Sequence, residues 1–229
     1  MKEIELSYDI PSRCADKLLA DEADIGLIPV VKTLQMPEHY IVSDLCIGAD
    51  NVIRTVVLAS ETPLEAVTTI YLDHHSRTSV ALARILAKHY WKIEPEWIHF
   101  SGDITTYPRT GHSAAVVIGD KVFGLQSSHI FDLAVEWRKF TGLPFVFACW
   151  IANKPIDKGF ICRFNEAMAI KKISANMDVI VEYYRDRAPA GVDLHHYWTN
   201  NISYPLTSDK QRGLELFLQY AGKLLPLSS

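Results

Sequence analysis

The sequence predicts a two-lobed α/β protein with mostly parallel sheets and a double hinge. Strand-like and helix-like segments alternate along almost the whole 229-residue chain, which is the pattern of right-handed βαβ units. Two long apolar segments, Val52–Ser60 and Phe145–Ala152, bracket a central block of such elements. They predict a chain that leaves one lobe by one strand and returns by another. We therefore expect lobe 1 to comprise residues 1–57 and 152–229, lobe 2 to comprise 58–151, and a ligand cleft to lie between them.

The elements of the first half follow from periodicity. Ile4–Ile10 alternates apolar and polar residues and is predicted as a strand, and Pro11 then begins a helical pattern. Ala23–Val31 is predicted as a buried strand and Thr68–Asp73 as a shorter one. Ser76–Tyr90 has apolar residues at helical spacing, so we expect a helix there.

The second half continues the alternation. Ser113–Gly124 is predicted as a strand with a turn at Gly119-Asp120. His129–Gly142 is predicted as a helix that a glycine closes. Pro144–Ala152 is predicted as a buried strand, and two long helical stretches fill much of the remainder.

Composition and charge limit the classes of function. Hydrophobic residues make up 48% and charged residues 22% of the chain, and the net charge of -4 provides no basic surface for nucleic acid. No apolar run reaches the ~18 residues of a membrane span, so no membrane partner is expected. The start of the chain, "MKEIELSYDIPSRC", lacks the apolar region of a secretory signal. The four cysteines form no Cys-x-x-Cys pair, so we expect a cytoplasmic protein with reduced thiols.

The segment Ser76-Arg77-Thr78-Ser79 stands where a strand gives way to a helix. A helix N-terminus carries unpaired N–H groups and a partial positive charge. The hydroxyls of Ser76, Thr78 and Ser79 would add donors, so this helix start suits a carboxylate or a phosphate. An ordinary N-cap remains the simpler interpretation of the segment taken alone.

Two further positions are candidates for the cleft. In "CIGAD", Gly48 and Ala49 would let the backbone approach a ligand, although a plain turn explains them equally well. Asp120 is a candidate acid or base from lobe 2, although Gly-Asp is also a common turn pair.

Other chemistries lack support in the sequence. The pairs His74-His75 and His195-His196 are adjacent and not four residues apart, so no metal site is expected. No Gly-x-Ser-x-Gly elbow, phosphate loop or Gly-x-Gly-x-x-Gly motif occurs, so neither nucleophilic nor dinucleotide chemistry is expected, and no cofactor is predicted.

A set of segments in order resembles one enzyme family. They are "CADKLLADEADIGLIPV", "SDLCIGA", "IYLDHHSRTSVALARILAKHYW", "AVVIGDKVF" and "DLAVEWRKFTGLPFVFACWIA". Together they resemble chorismate dehydratase of the futalosine route to menaquinone, from about Pro11 to Ala152 and more loosely beyond. The resemblance implies a type II periplasmic-binding-protein-like fold and loss of water from chorismate, giving 3-[(1-carboxyvinyl)oxy]benzoate. It also implies that Ser76, Thr78 and Ser79 bind a substrate carboxylate, with Gly48 and Ala49 against the ligand.

The sequence departs from that family at its start. Family members have a further strand and turn, of the type Ser-Tyr-Leu-Asn-Thr-Lys-Pro, before the segment that corresponds to Ile4–Ile10. In the implied fold that strand lies between Ile4–Ile10 and Ala23–Val31, and its turn contacts substrate. Two alternatives stay open: the sister enzyme that forms 1,4-dihydroxy-6-naphthoate, and a non-catalytic binder of an aromatic or dicarboxylic acid. The sister family uses a histidine where this chain has Gly119-Asp120, which favours the dehydratase.

Overall fold

The computed structural model describes residues 4–73, 77–189 and 191–224 and arranges them around two β-sheets. Sheet A has the strand order β1-β8-β2-β9, and sheet B has the order β5-β4-β6-β3-β7. The strands are β1 Ile25–Pro29, β2 Tyr40–Ala49, β3 Val56–Ser60, β4 Thr69–Leu72, β5 Glu96–His99, β6 Ser113–Ile118, β7 His129–Asp132, β8 Phe145–Ala152 and β9 Ser203–Pro205.

Helices cover the sheets and fill the C-terminal part of the chain. They are α1 Pro11–Leu19, α2 Arg77–Leu86, α3 Leu133–Thr141, α4 Lys158–Met168, α5 Ile170–Ala175, α6 Met177–Tyr184, α7 Leu194–His196 and α8 Ser208–Leu224. Two of them continue as a π-helical turn, α2 over Ala87–Trp91 and α7 over Tyr197–Asn201. In the described parts of the chain, no helix combines the length and apolar character that a bilayer crossing requires.

The strand pairing corrects the expectation of mostly parallel sheets. Among the described strands, only the pairs β4–β5 and β4–β6 are parallel. The other five pairings are antiparallel. The reason is the two-lobed path, because β3 and β8 enter their sheets from the other lobe. They therefore pair without the helical crossover that makes neighbouring strands parallel.

The strand pairing also bears on where the chain passes between lobes. β3 pairs only within sheet B, and β8 pairs with both β1 and β2 of sheet A. We infer that the first crossing occupies residues 50–55, between β2 and β3, and that the return crossing precedes Phe145. The lobe limits at 57/58 and 151/152 stay a prediction.

The N-terminal segment differs from its prediction. Residues 4–10 form no strand, and the side chains of Ile4, Leu6 and Tyr8 are largely exposed. β1 pairs only with β8 in the part of the chain that the structure describes, so no strand lies beside it to receive Ile4–Ile10. Asp9 instead forms ion pairs with Arg13 and Lys17 of α1, which hold the segment in an irregular conformation.

The segment His129–Gly142 shows why one predicted helix is a strand followed by a shorter helix. His129–Asp132 pairs with β3 as strand β7. The Asp132 carboxylate accepts hydrogen bonds from the Ala134 and Val135 N–H groups, so α3 begins after it. Gly142 ends α3 with a φ of 75°, which confirms the predicted glycine cap.

Candidate functional site

A polar groove opens at the carboxyl ends of β5 and β6. Its volume is about 570 Å³, which is within the usual range for small-molecule sites. Most of its lining comes from the loops after these strands, and Pro189 contributes from the chain beyond β8. The groove residues, as we call them below, are Asp103, Thr105, Arg109, Asp120, Lys121, Gly124, Leu125, Gln126 and Pro189. The groove therefore occupies the edge of a parallel β4–β5–β6 unit, where α/β proteins commonly bind ligands.

Lys121 connects the ends of the three parallel strands. Its Nζ atom lies 3.4 Å from a carboxylate oxygen of Asp73, which directly follows β4, and 3.8 Å from one of Asp103, which follows β5. Asp73 is buried, and the Lys121 side chain is 43% exposed. Both contacts are long for ion pairs with good geometry. Lys121 is thus a cation at the groove surface that can also reach a bound anion.

The start of α2 lies next to this cluster in the chain. α2 begins at Arg77, four residues after Asp73, and its first turn contains Thr78 and Ser79, which are 4% and 3% exposed. Among the described residues, nothing hydrogen-bonds to Thr78 Oγ1. A buried hydroxyl without a partner costs about 1–3 kcal/mol, and it calls for a ligand or water. Ser76, the third hydroxyl of the predicted anion site, lies outside the described residues.

Asp120 lies on the short 3-10 turn Gly119–Val122 that follows β6. The predicted turn is confirmed: Gly119 has a φ of 70°, a left-handed conformation that favours glycine. The Gly119 N–H group donates a 2.8 Å hydrogen bond to the carbonyl oxygen of Thr55, which ties the turn to the end of the first crossing. Asp120 is exposed and lines the groove. Its predicted role as an acid or base stays a prediction.

Gly48 and Ala49 are part of strand β2, so the interpretation of "CIGAD" as a turn is wrong at these residues. Both are buried. A Cβ atom on Gly48 would lie 2.8 Å from the Phe145 carbonyl oxygen and 3.3 Å from Lys210 Cε, so the close approach is to β8 and α8. Their predicted contact with a ligand stays a prediction, and the structure shows a packing role at the beginning of the hinge.

The charged groups of the groove are mostly held in place by protein partners. The backbone N–H of Thr105 holds the pKa of Asp103 below its ordinary value. Arg109 forms an ion pair of 3.0 Å with Glu61. The Ser128 hydroxyl group, through its hydrogen bond, lowers the pKa of Glu61. The Asp103 and Glu61 carboxylates are therefore ionised at neutral pH. Of the two groove cations, Lys121 lies farther from its carboxylate partners than Arg109 does.

The first crossing, residues 50–55, is held from both sides. Asp132 of β7 accepts hydrogen bonds from the backbone N–H groups of Ile53, at 3.0 Å, and Arg54, at 2.7 Å. Burial raises the pKa of the Asp132 carboxyl group, and the four backbone donors that it accepts act against that rise. From the other side, Asn201 Nδ2 donates to the Val52 carbonyl oxygen. The crossing is therefore a defined structural element and not a loose linker.

The described residues contain no group of three or more histidine, cysteine or acidic side chains placed to hold a metal ion. The four cysteines, including buried Cys46 and Cys149, are free thiols. Lys121 and Arg109 were missed by the sequence interpretation. A single lysine in a turn forms no recognisable sequence pattern, and the two carboxylates that contact Lys121, Asp73 and Asp103, come from two other loops.

Solved structures with the same architecture define the class of protein. An ABC transporter protein from Parabacteroides distasonis has a TM-score of 0.65 at 17% identity, over 96% of this chain and 81% of that one. The periplasmic aliphatic sulphonate binding protein of Escherichia coli has a TM-score of 0.52 at 12% identity, over 96% of this chain and 77% of that one. The predicted periplasmic-binding-protein-like fold is therefore confirmed.

The family follows from the sequence comparison. A profile described as menaquinone biosynthesis matches residues 1–223, and the chain belongs to this family. The chain is also similar to chorismate dehydratase of Campylobacter jejuni subsp. jejuni serotype O:23/36 (strain 81-176). The two are 24% identical over an alignment of 221 residues, which covers 94% of this chain and 83% of the relative.

Proposed function

We propose that the protein is a chorismate dehydratase, a carbon–oxygen lyase that makes 3-[(1-carboxyvinyl)oxy]benzoate for menaquinone biosynthesis. The family membership and the relative from C. jejuni support this proposal. The observation that carries it is the polar groove, with the partly exposed cation Lys121 at its surface. A groove of this volume suits a substrate with a single ring and two carboxylates.

The proposed reaction is the elimination of water from the chorismate ring. The ring hydrogen beside the enol ether leaves as a proton, and its bonding electrons form the new ring double bond. The neighbouring hydroxyl group leaves with its bonding electrons and, on protonation, becomes water. The ring becomes aromatic, so the reaction is favourable and neutral in redox terms, and it requires no redox cofactor. The enzyme must mainly orient the substrate and exclude competing reactions.

The site residues are proposed for separate roles. Thr78 and Ser79 of the first turn of α2, together with Ser76, bind one carboxylate, since N–H groups and hydroxyls suit an anion at a helix start. Lys121 binds the second carboxylate by exchanging its long contact with Asp103 for one with substrate. Asp120 is the proposed acid–base group of the groove.

Two alternative functions stand beside this proposal. The sister enzyme forms 1,4-dihydroxy-6-naphthoate, and the turn Gly119-Asp120 in place of a histidine counts against it. A non-catalytic binder of an aromatic or dicarboxylic acid is consistent with the solute-binding fold. We also propose that the protein is cytoplasmic and that its ligand is a small molecule.

The test is turnover of chorismate by the purified protein, followed by mass spectrometry. We expect chorismate to lose one water and the aromatic product to accumulate. Unchanged chorismate with a raised melting temperature would favour the binder, and unchanged chorismate without stabilisation would refute both. Lys121→Met should raise KM about tenfold, as loss of a charge-assisted hydrogen bond predicts. Lys154→Met is the matched control, because Lys154 pairs with Asp21 and Asp24 on another surface and lies outside the groove.

A further inference from the structure

The π-helical turn Tyr197–Asn201 reaches from the C-terminal part of the chain to the first crossing. The Tyr197 hydroxyl group lies 2.7 Å from Thr55 Oγ1, and the two residues are 142 positions apart in the chain. Thr55 is 5% exposed, so this hydrogen bond is shielded from water. π-helical turns are rare and frequently occur at functional sites. The position of this turn at the hinge raises the question of what Tyr197 holds in place.

Tyr197 is linked to both ends of the Asp120 turn, by which we mean residues 119–123: indirectly through Thr55 at its start and directly through Phe123 at its end. At the start of the turn, the Thr55 carbonyl oxygen accepts a hydrogen bond from the Gly119 N–H group. The Thr55 hydroxyl group forms a hydrogen bond with the Tyr197 hydroxyl group. At the end of the turn, the Phe123 ring lies edge-to-face with the Tyr197 ring, with 5.4 Å between centroids and an interplanar angle of 89°. The two groove residues Asp120 and Lys121 lie between these fixed points.

Phe123 has a second neighbour from outside its own turn. The Arg54 guanidinium lies 6.0 Å from the Phe123 ring centroid. Arg54 has a φ of 67°, and its N–H group is held by Asp132. The Phe123 ring therefore contacts a residue of the first crossing and a residue of the C-terminal turn, so the Asp120 turn has contacts from outside its own lobe.

We propose that Tyr197 is a positioning residue that fixes Asp120 and Lys121 in the groove, through its hydroxyl group on Thr55 and its ring on Phe123. This inference deepens the proposed function and rests on it only for the kinetic readout. Burial raises the pKa of the Tyr197 phenol, and the negative charges of Asp120 and Asp132 add to that rise, so the hydroxyl group stays protonated. Tyr197 therefore acts as a hydrogen-bonding support and not as a base.

The decisive substitution is Tyr197→Phe, because it removes the hydroxyl group and keeps the ring on Phe123. Thr55→Val removes the partner of that hydroxyl group with little change in volume. The matched control is Tyr204→Phe, on β9 in the same part of the chain, where the Tyr204 hydroxyl group makes no hydrogen bond with the described residues.

The first readout does not need activity. Hydrogen exchange is measured for the peptide that contains Gly119. We expect its exchange to become about three- to tenfold faster in Tyr197→Phe and in Thr55→Val, as the loss of one buried hydrogen bond predicts. The double variant should exchange no faster than either single variant, because both remove the same interaction. Tyr204→Phe should leave this exchange unchanged.

The second readout is turnover of chorismate. Tyr197→Phe should lower kcat/KM about three- to tenfold, and this decrease should vanish in the Asp120→Asn, Lys121→Met background, where nothing remains to be positioned. A full decrease in that background, or exchange at Gly119 equal to that of the control, would overturn the proposal. A wild-type protein that leaves chorismate unchanged but shows the exchange effect would refute the proposed function and leave the positioning role standing.

Discussion

Substitution of Lys210 by methionine tests how the hinge is held. Lys210 is fully buried, and its Nζ atom donates to the carbonyl oxygens of Ser203 and Pro205 at 3.0 and 2.7 Å and to Ser203 Oγ at 2.6 Å. It also lies 3.5 Å from a carboxylate oxygen of Asp50, the first residue of the first crossing. Methionine keeps an unbranched side chain, one atom shorter than lysine, and removes the charge and all donors.

The magnitude follows from these contacts. Hydrogen bonds from a charged group contribute about 1.5–3 kcal/mol each, and loss of one partner of a buried pair costs about 3–5 kcal/mol. The part due to Asp50 is discounted, because its side chain is 66% exposed. Methionine also carries no charge, so the variant no longer has the cost of burying the ammonium group, and this offsets a further part of the lost unfolding free energy. We therefore expect Lys210→Met to lose about 3 kcal/mol of unfolding free energy.

The assays are urea unfolding, which gives the unfolding free energy, and thermal unfolding, which gives the melting temperature, both followed by circular dichroism. At about 2–4 °C per kcal/mol for a chain of this size, the melting temperature should fall by about 6–12 °C. Lys154→Met is the control, because its ion pairs are exposed and should contribute less than about 1 kcal/mol. A loss below about 1 kcal/mol for Lys210→Met, or one equal to that of the control, would refute the reasoning.

Three further predictions concern packing, the anion site and the thiols. Gly213→Ala should destabilise the protein by more than about 2 kcal/mol in thermal unfolding, because the new Cβ atom would clash with the Pro144 carbonyl oxygen. Gly222→Ala on the same helix, where the atom nearest to the new Cβ is 3.9 Å away, should stabilise it by up to about 1 kcal/mol. Equal effects of the two substitutions would contradict this. Thr78→Val should raise stability by about 1 kcal/mol and weaken chorismate binding about tenfold by calorimetry. The reason is that it removes a buried hydroxyl that has no hydrogen-bond partner among the described residues. Tighter binding would be inconsistent with the anion site. Burial raises the pKa of Cys46 to about 11 and that of Cys149 to about 12. Neither thiol of the native protein should therefore react with iodoacetamide at about pH 8.5, which peptide mass spectrometry would check. Rapid labelling of either thiol would refute their burial.

Local signals in the sequence sufficed for part of the fold. Pro11 begins α1 and Gly142 ends α3 as predicted, because proline and glycine act through their own backbone conformations. The turn at Gly119 is confirmed for the same reason. The segment Ile4–Ile10 is not a strand, although its alternation is typical of one. A strand needs a hydrogen-bonding neighbour, and alternation does not reveal whether one is present.

The candidate site shows the same division between local and distant contacts. The anion site at the start of α2 was a prediction from adjacent residues, and Thr78 is buried there without a hydrogen-bond partner among the described residues. Lys121 and Tyr197 were not predicted, because their partners lie far away in the sequence. Thr55 and Tyr197 are 142 residues apart, and no periodic pattern in the sequence indicates that they are in contact.

A crystal structure of the protein with 3-[(1-carboxyvinyl)oxy]benzoate bound tests the central claim most directly. The account predicts that the product occupies the groove beyond β5 and β6, with one carboxylate at the first turn of α2 and the other within hydrogen-bond distance of Lys121 Nζ. A saturating ligand bound elsewhere, with the groove occupied by solvent alone, would contradict it.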